Sequence, residues 1–434
     1  MTFARGNPGK NFTSVAALLV AAGATAVALL HPMAVPRRDW LPRAEWVLTV
    51  SLVVGGLILT GGLLAKTFAD LGSPTWVTIT AAYTILGMAG ALLLFRRLPH
   101  IKWALALFLL AHAAMSVALL RSSTVLIDTQ VYLHDGVVEL FHGRNPYTMT
   151  VRNIYPPALT DLFYGPGVVF DGRVHAGFPY LPATLLAVIP GYLLGDVRYS
   201  LLIAMVVTAL ALRQLASDRI GRAAAVLGVA SLSSIPMLEG AWTEPISVAL
   251  LACLVLAIDG RRQAYTALFL GLLLMSKQYF VVVVPMLWLI RQWLTRRMIL
   301  IGVGLAFVVN LPFFLVNPAA FWKAVAGAPG APLRPDSLSL LVFSVNNFGW
   351  PPSWTYVVLP LLGGGLTALV LALRSPRTPA AFAAGVGLTL LVTILLSNRA
   401  FMNYYFLVSG AFLIAVVAWP GKPGPAKPVS ATRA

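Results

Sequence analysis

Apolar positions in this chain neither alternate nor form the one-sided stripe of a soluble helix. They come in unbroken blocks of roughly 15 to 20 residues, the length an α-helix needs to cross a hydrocarbon layer of about 30 Å. Such blocks lie near 13–30, 46–65, 75–95, 101–120, 199–213, 223–238, 243–258, 264–276, 279–294, 298–316, 355–373, 380–397 and 401–419. One more, 181–195, is interrupted by Pro182 and Pro190. The pattern predicts an all-α, polytopic transmembrane protein of about 12 to 14 spans. It divides into N-terminal helices over 1–120, a long loop over 121–198, central helices over 199–316, a second loop over 317–354, C-terminal helices over 355–419 and a basic tail over 420–434.

Composition strengthens this picture. The chain has 434 residues, of which 59% are hydrophobic and only 10% charged, against about 25% charged in an average soluble protein. Its net charge of +17 would suggest nucleic acid in a soluble chain. Here the basic residues sit between spans, where they mark cytoplasmic loops, and no nucleic-acid partner is expected. Arg96 and Arg97, Arg213, Arg261 and Arg262, Arg296 and Arg297, Arg374 and Arg377, and Lys422 and Lys427 fix the sides. Loops 121–180 and 317–354 then fall outside the cell, provided that 181–195 is re-entrant or interfacial. Parity also puts the N-terminus outside, with 13–30 a retained span rather than a signal peptide. Cys253, the single cysteine, lies in an apolar block and offers neither a disulfide nor a thiolate metal site.

Scarce acids are the more informative charges. Six of the 14 lie in 121–198, namely Asp128, Asp135, Glu139, Asp161, Asp171 and Asp196. Residues 127–142 have helical periodicity, with Leu133, Val137, Leu140 and Phe141 on one face and Asp128, Tyr132, Asp135 and Glu139 on the other. Such a helix can lie on the bilayer surface with its acids toward an aqueous cleft. Asp128 stands at the helix start, so its residue type suits an N-cap as well as a catalytic carboxylate. Tyr155-Pro156-Pro157 and Phe178-Pro179-Tyr180-Leu181-Pro182 are Pro-stiffened aromatic turns nearby. Lys277 and Arg399 depart from the cytoplasmic bias of the other cations. A cation held outside at membrane depth needs an anion, either a protein carboxylate (Glu239, Glu244 or Asp336) or a ligand. Walker A, dinucleotide-binding, HExxH and GxSxG patterns are all missing.

Taken in order, these segments resemble a known group. Asp128-Thr-Gln-Val-Tyr132 at a membrane exit, Gly143-Arg-Asn-Pro-Tyr147, and Tyr180-Leu-Pro182 leading into a Pro-broken segment are similar to the GT-C superfamily of membrane glycosyltransferases. The likeness is greatest to the polyprenyl-phosphate-mannose-dependent mannosyltransferases of glycosyltransferase family 87, and covers roughly 120–300. Glu239-Gly240 and Ser276-Lys277-Gln278 stand where that family has a Gly-Gln and a Lys-Pro turn, and Arg334 to Ser339 is similar to an outer-loop motif of the superfamily. The chain departs from the pattern in having three blocks, not none, ahead of the span that leads into Asp128.

The resemblance implies an inverting transferase in the plasma membrane. It would move a mannose-like sugar from a polyprenyl-phosphate donor to a hydroxyl of a lipid- or glycan-linked acceptor on the extracytoplasmic face, surrounded by membrane lipids. Asp128 would be the general base, with Asp135 its substitute if Asp128 only caps the helix. Lys277 and Arg399 are the expected phosphate ligands, and Tyr132, Arg144, Tyr147, Tyr180 and Asn403 the expected pocket lining. No cofactor is required by the pattern; a divalent ion joining the donor phosphate to Asp128, Asp135 or Glu139 stays open. A multipass transporter or lipid flippase is the competing class, although few ionisable residues lie within the spans. A membrane scaffold without chemistry is the third.

Overall fold

The computed structural model describes residues 101–123, 125–216, 234–330 and 332–419. The blocks at 13–30, 46–65 and 75–95, most of 223–238 and the tail 420–434 lie outside the described residues. Fifteen α-helices make up most of the rest. In chain order they are α1 (Ile101–Ser122), α2 (Asp128–Phe141), α3 (Pro157–Tyr164), α4 (Pro182–Leu193), α5 (Arg198–Leu215), α6 (Ser234–Glu239), α7 (Glu244–Asp259) and α8 (Gln263–Leu274). There follow α9 (Leu287–Ile290), α10 (Arg296–Val316), α11 (Pro318–Gly330), α12 (Leu340–Phe348), α13 (Thr355–Arg374), α14 (Pro379–Leu395) and α15 (Met402–Ala418). Among the described residues, α5, α10 and α13 are long and apolar enough to cross a membrane.

Two features differ from the all-helical expectation. A small antiparallel sheet forms in the first loop from β1 (Val151–Arg152), β2 (Val169–Phe170) and β3 (Arg173–Val174), in the order β1-β3-β2. Its turn is Asp171-Gly172, both at positive φ, and a two-residue Asp-Gly connection with that geometry matches the twist of the strands it joins. The block expected as one helix over 279–294 is instead a 3₁₀ helix over Gln278–Met286 followed by the short α9. Four successive valines, 281 to 284, are stiff in an α-helix, and Pro285 has no N–H to donate back along the chain.

Helix α7 is the centre of the bundle, packed against α5, α8 and α15, while α14 lies between α13 and α15. One apolar core gathers Leu251, Leu254, Val255, Phe280, Met286, Phe382, Leu407 and Ala411. The other gathers Leu133, Val137, Tyr147, Phe178, Leu185, Leu201, Met237 and Leu238. Leu250 and Phe406 pack against both. Helix α10 approaches α8 closely, because a Cβ on Gly271 would stand 2.6 Å from the Gly302 carbonyl oxygen and one on Gly302 would stand 2.7 Å from that of Ala267. Its other sides expose Leu300, Phe307, Val308 and Leu315, side chains suited to a hydrocarbon surrounding.

Helix α4 has 12 residues and so spans about 18 Å, short of a bilayer's width. At its start, the Ala183 N–H donates to the Met275 carbonyl at 3.1 Å and the Thr184 hydroxyl to that of Ser276 at 2.6 Å. Beyond its end, the Arg198 Nη2 donates to the Leu120 carbonyl at 3.1 Å, and the Ser123 hydroxyl to Glu239 at 3.1 Å.

The approach to α4 depends on one glycine. Gly177 has φ +69°, and a Cβ there would press into the Tyr147 carbonyl oxygen. Gly177→Ala is therefore expected to cost at least about 2 kcal/mol from left-handed strain and overlap together. Gly167, with φ +71° and open space around it, should cost less as Ala. Thermal unfolding of the two purified variants checks this, and equal losses would contradict it.

Candidate functional site

Helix α2 starts without a side-chain cap, Ile127 being the residue before its first turn. Asp128 is the first helical residue, and its Oδ1 accepts from the Thr129 N–H at 2.8 Å and the Thr129 hydroxyl at 3.5 Å. The carboxylate thus does not sit in the cap position. It is partly buried, and the Tyr155 hydroxyl favours its ionised form. Tyr155 is held in place by stacking on Phe163, with ring centroids 4.0 Å apart. Burial pushes the Asp128 carboxyl above its ordinary value, against the opposing pull of the Thr129 amide, Tyr155, Arg334 and Arg399. A carboxyl displaced in that direction is a better proton acceptor when ionised.

The two arginines differ in what they have left to offer. Arg334 is buried between Phe163 and Phe401, 4.3 and 4.9 Å from the ring centroids, and is neutralised by a paired contact to Asp336 at 2.8 and 2.7 Å. Its segment is fastened to the approach to α15. The Arg334 N–H donates to the Asn398 carbonyl at 3.2 Å, the Leu338 N–H to that of Ala400 at 2.9 Å and the Ser339 hydroxyl to that of Ser397 at 2.8 Å. The Tyr405 hydroxyl donates to the Leu338 carbonyl. Among the described residues, no carboxylate is bonded to Arg399. Its Nε and Nη1 make long bonds to the Pro332 and Phe163 carbonyls, at 3.3 and 3.4 Å, and its Nη2 has no partner. A guanidinium within electrostatic reach of Asp128 and with an unused donor among the described residues is an anion site in waiting.

Lys277 stands otherwise. Its Nζ donates to Glu244 Oε1 at 3.2 Å and lies 4.1 Å from the centre of the Tyr180 ring, with both charged groups buried. The ion pair with Glu244, one of the two outcomes open from the sequence, is the one observed. Tyr180 and Tyr404 both lie within electrostatic reach of Asp128 and Glu244.

The chain matches no protein-family model and no curated protein.

Of the residues expected from sequence, the structure brings Asp128, Tyr132, Tyr180, Lys277 and Arg399 together. Tyr132 lies one turn along α2 from Asp128 and is buried. Asn403 is buried in the first turn of α15, next to Tyr404. Arg144 is exposed and joined to Glu139 at 2.6 and 2.7 Å, a pairing that holds the Glu139 carboxyl below its usual value. Tyr147 is a core residue, packed against Phe178, Phe313 and Phe321 and donating to the Tyr180 carbonyl at 2.8 Å. Asp135 is a poor substitute for Asp128, since it faces His134 at 3.0 Å on the exposed side of α2. Of the acids expected on one face, Asp135 meets His134 and Glu139 meets Arg144, while Asp128 is partly buried. Among the described residues no three His, Cys, Asp or Glu side chains cluster as a metal site.

Thr129 and Tyr164 are members of the cluster that sequence reasoning passed over. Tyr164 acts electrostatically on Asp128 from the end of α3, a helix not expected within the loop. Thr129 adjoins Asp128 in sequence, and its polar side chain at a helix start is the signal that could have found it.

Proposed function

We propose that this chain is a membrane glycosyltransferase that uses a polyprenyl-phosphate sugar. Support comes chiefly from the juxtaposition of Asp128, a carboxyl raised by burial, with Arg399, a guanidinium that has an unused donor. The one can take a proton and the other can receive an anion. Asp128 accepts the proton of the acceptor hydroxyl as that oxygen bonds to the anomeric carbon of the sugar. The bond from that carbon to the phosphate oxygen breaks, and the charge left on the polyprenyl phosphate is met by Arg399. Donors aimed at a developing charge stabilise the transition state more than the ground state. Apolar helices long enough to cross a bilayer give the lipid tail of such a donor a suitable surrounding.

The reading has a pH signature. A general base works only when unprotonated, so kcat/KM should fall as pH drops through the Asp128 pKa. Because burial raises that pKa, the acid limb should lie above the ordinary carboxylate range. Transfer from a synthetic polyprenyl-phosphate mannose, followed in proteoliposomes across pH, measures it. An acid limb at or below the ordinary value would count against Asp128 as the base.

A further inference from the structure

Three turns of the chain carry seven arginines and one acid: Asp259 with Arg261 and Arg262, Arg291 with Arg296 and Arg297, and Arg374 with Arg377. The fold gathers them at one end of the bundle. Helices α8 and α10 run side by side in the same direction, since a Cβ on Gly302 would meet Ala267 and Leu270 while one on Gly271 would meet Gly302 and Leu305. Arg262 and Arg297 therefore each stand about 8 Å of helix axis ahead of that seam. The Gln292 side-chain amide donates to the Arg377 carbonyl at 2.9 Å, which fastens the turn after α13 to the turn before α10. Glu244 and Lys277 belong to the opposite ends of α7 and α8. Asp259 is thus about 24 Å along α7 from Glu244.

All seven arginines are exposed, and among the described residues none of them is in an ion pair. Arg144, Arg198 and Arg334, in other parts of the fold, each hold a carboxylate. Trp288 is exposed as well and carries Arg291 on its face, the guanidinium carbon 3.4 Å from the ring centre. Beyond the arginines the helices expose Leu268 on α8, Leu300 and Ile301 on α10, and Leu369 and Leu373 on α13. We propose that this end of the bundle binds the headgroups of anionic phospholipids. A guanidinium fork meets two phosphate oxygens at once, the apolar wall below gives the acyl chains a surface, and a tryptophan at the boundary suits the headgroup level. Charge decides the class of lipid. A zwitterionic headgroup brings its own cation and leaves the seven-to-one excess uncompensated, whereas an anionic one offsets it. A soluble anion would leave Trp288 and the apolar wall unused. Orientation in the membrane needs positive charge between spans, but it does not need three turns fastened into one unpaired cluster. This site does not depend on sugar transfer.

Electron paramagnetic resonance of spin-labelled phosphatidylglycerol and spin-labelled phosphatidylcholine, each in proteoliposomes of the full chain, compares the affinity of the protein surface for the two lipids. Phosphatidylglycerol should be favoured at least about threefold. The preference should shrink to near parity in about 1 M NaCl, which screens the headgroup charge. It should also shrink when Arg261, Arg262, Arg296 and Arg297 are all changed to Gln, and stay when Arg121→Gln and Arg152→Gln remove two exposed arginines outside these turns. The salt arm uses the parent protein and so decides the matter even if the fourfold variant does not fold. Inorganic phosphate at about 10 mM and matched ionic strength should leave the preference in place. Equal affinity for the two lipids, or a preference that survives high salt or the fourfold variant, would overturn the proposal. Loss of the preference to inorganic phosphate alone would overturn it in favour of a soluble anion.

Discussion

Asp128→Asn is expected to lower sugar transfer by about 10²- to 10⁴-fold, the contribution of a positioned general base, while the protein folds and melts at least as high as the parent. The amide keeps the side chain's shape and an oxygen able to accept from the Thr129 N–H, so α2 should start as before. What it loses is the charge. A carboxyl whose pKa is higher in the folded than in the unfolded state stabilises the fold fully only below its unfolded pKa. That contribution is lost as pH rises through the folded value, so at neutral pH the ionised Asp128 opposes folding. A neutral amide removes the opposition. Transfer assays and thermal unfolding on the same preparation check both halves, and turnover near the parental rate would remove Asp128 from the mechanism. Asp135, exposed and paired with His134, is the natural control.

Arg399→Gln should have the second largest effect, a loss of about 10²- to 10³-fold in kcat, as when one donor to a developing negative charge is removed. Its Nε and Nη1 bonds to carbonyl oxygens are long, and its Nη2 is unpartnered. Little of the fold therefore depends on it. Arg334→Gln is the contrasting change. It would break a paired contact with Asp336 and empty the space between Phe163 and Phe401, so its cost should appear in stability before kcat. Steady-state kinetics with a polyprenyl-phosphate sugar, alongside unfolding, distinguishes the two arginines. Equal loss of kcat from both would mean that the unused donor of Arg399 is not what meets the phosphate.

Helices bounded by charge were readable from the sequence almost to the residue. The block 199–213 became Arg198–Leu215, and 355–373 became Thr355–Arg374. Where hydrophobicity and backbone chemistry disagree, periodicity misled, as in the valine run that ends at Pro285. The period of α2 was legible but its buried face was not. Gly136 lets Phe178 and Leu185 come to about 3 Å of where its Cβ would be. The helix consequently turns Thr129, Tyr132, Leu133, Gly136 and Val137 inward and leaves Asp135 and Glu139 on the outside. A contact with residues some 40 to 50 positions away set that rotation.

The cations show the same limit. Lys277 and Arg399 looked alike in sequence, two positive residues on the outer side. They differ because Glu244, 33 residues from Lys277, folds onto one of them, and among the described residues no carboxylate bonds the other. Arg334 and Asp336 are near neighbours in the chain, so their pairing was open to a local reading. Which cation keeps a donor to spare depends on long-range packing, and only the folded arrangement displays it.

The most direct measurement is the fate of the donor's anomeric carbon in one turnover of the purified protein in liposomes, using polyprenyl-phosphate mannose and an acceptor bearing a free hydroxyl. The account predicts release of polyprenyl phosphate, a product of opposite anomeric configuration to the donor, and loss of both in Asp128→Asn. Retained configuration, or equal release by the Asp128→Asn protein, would contradict it.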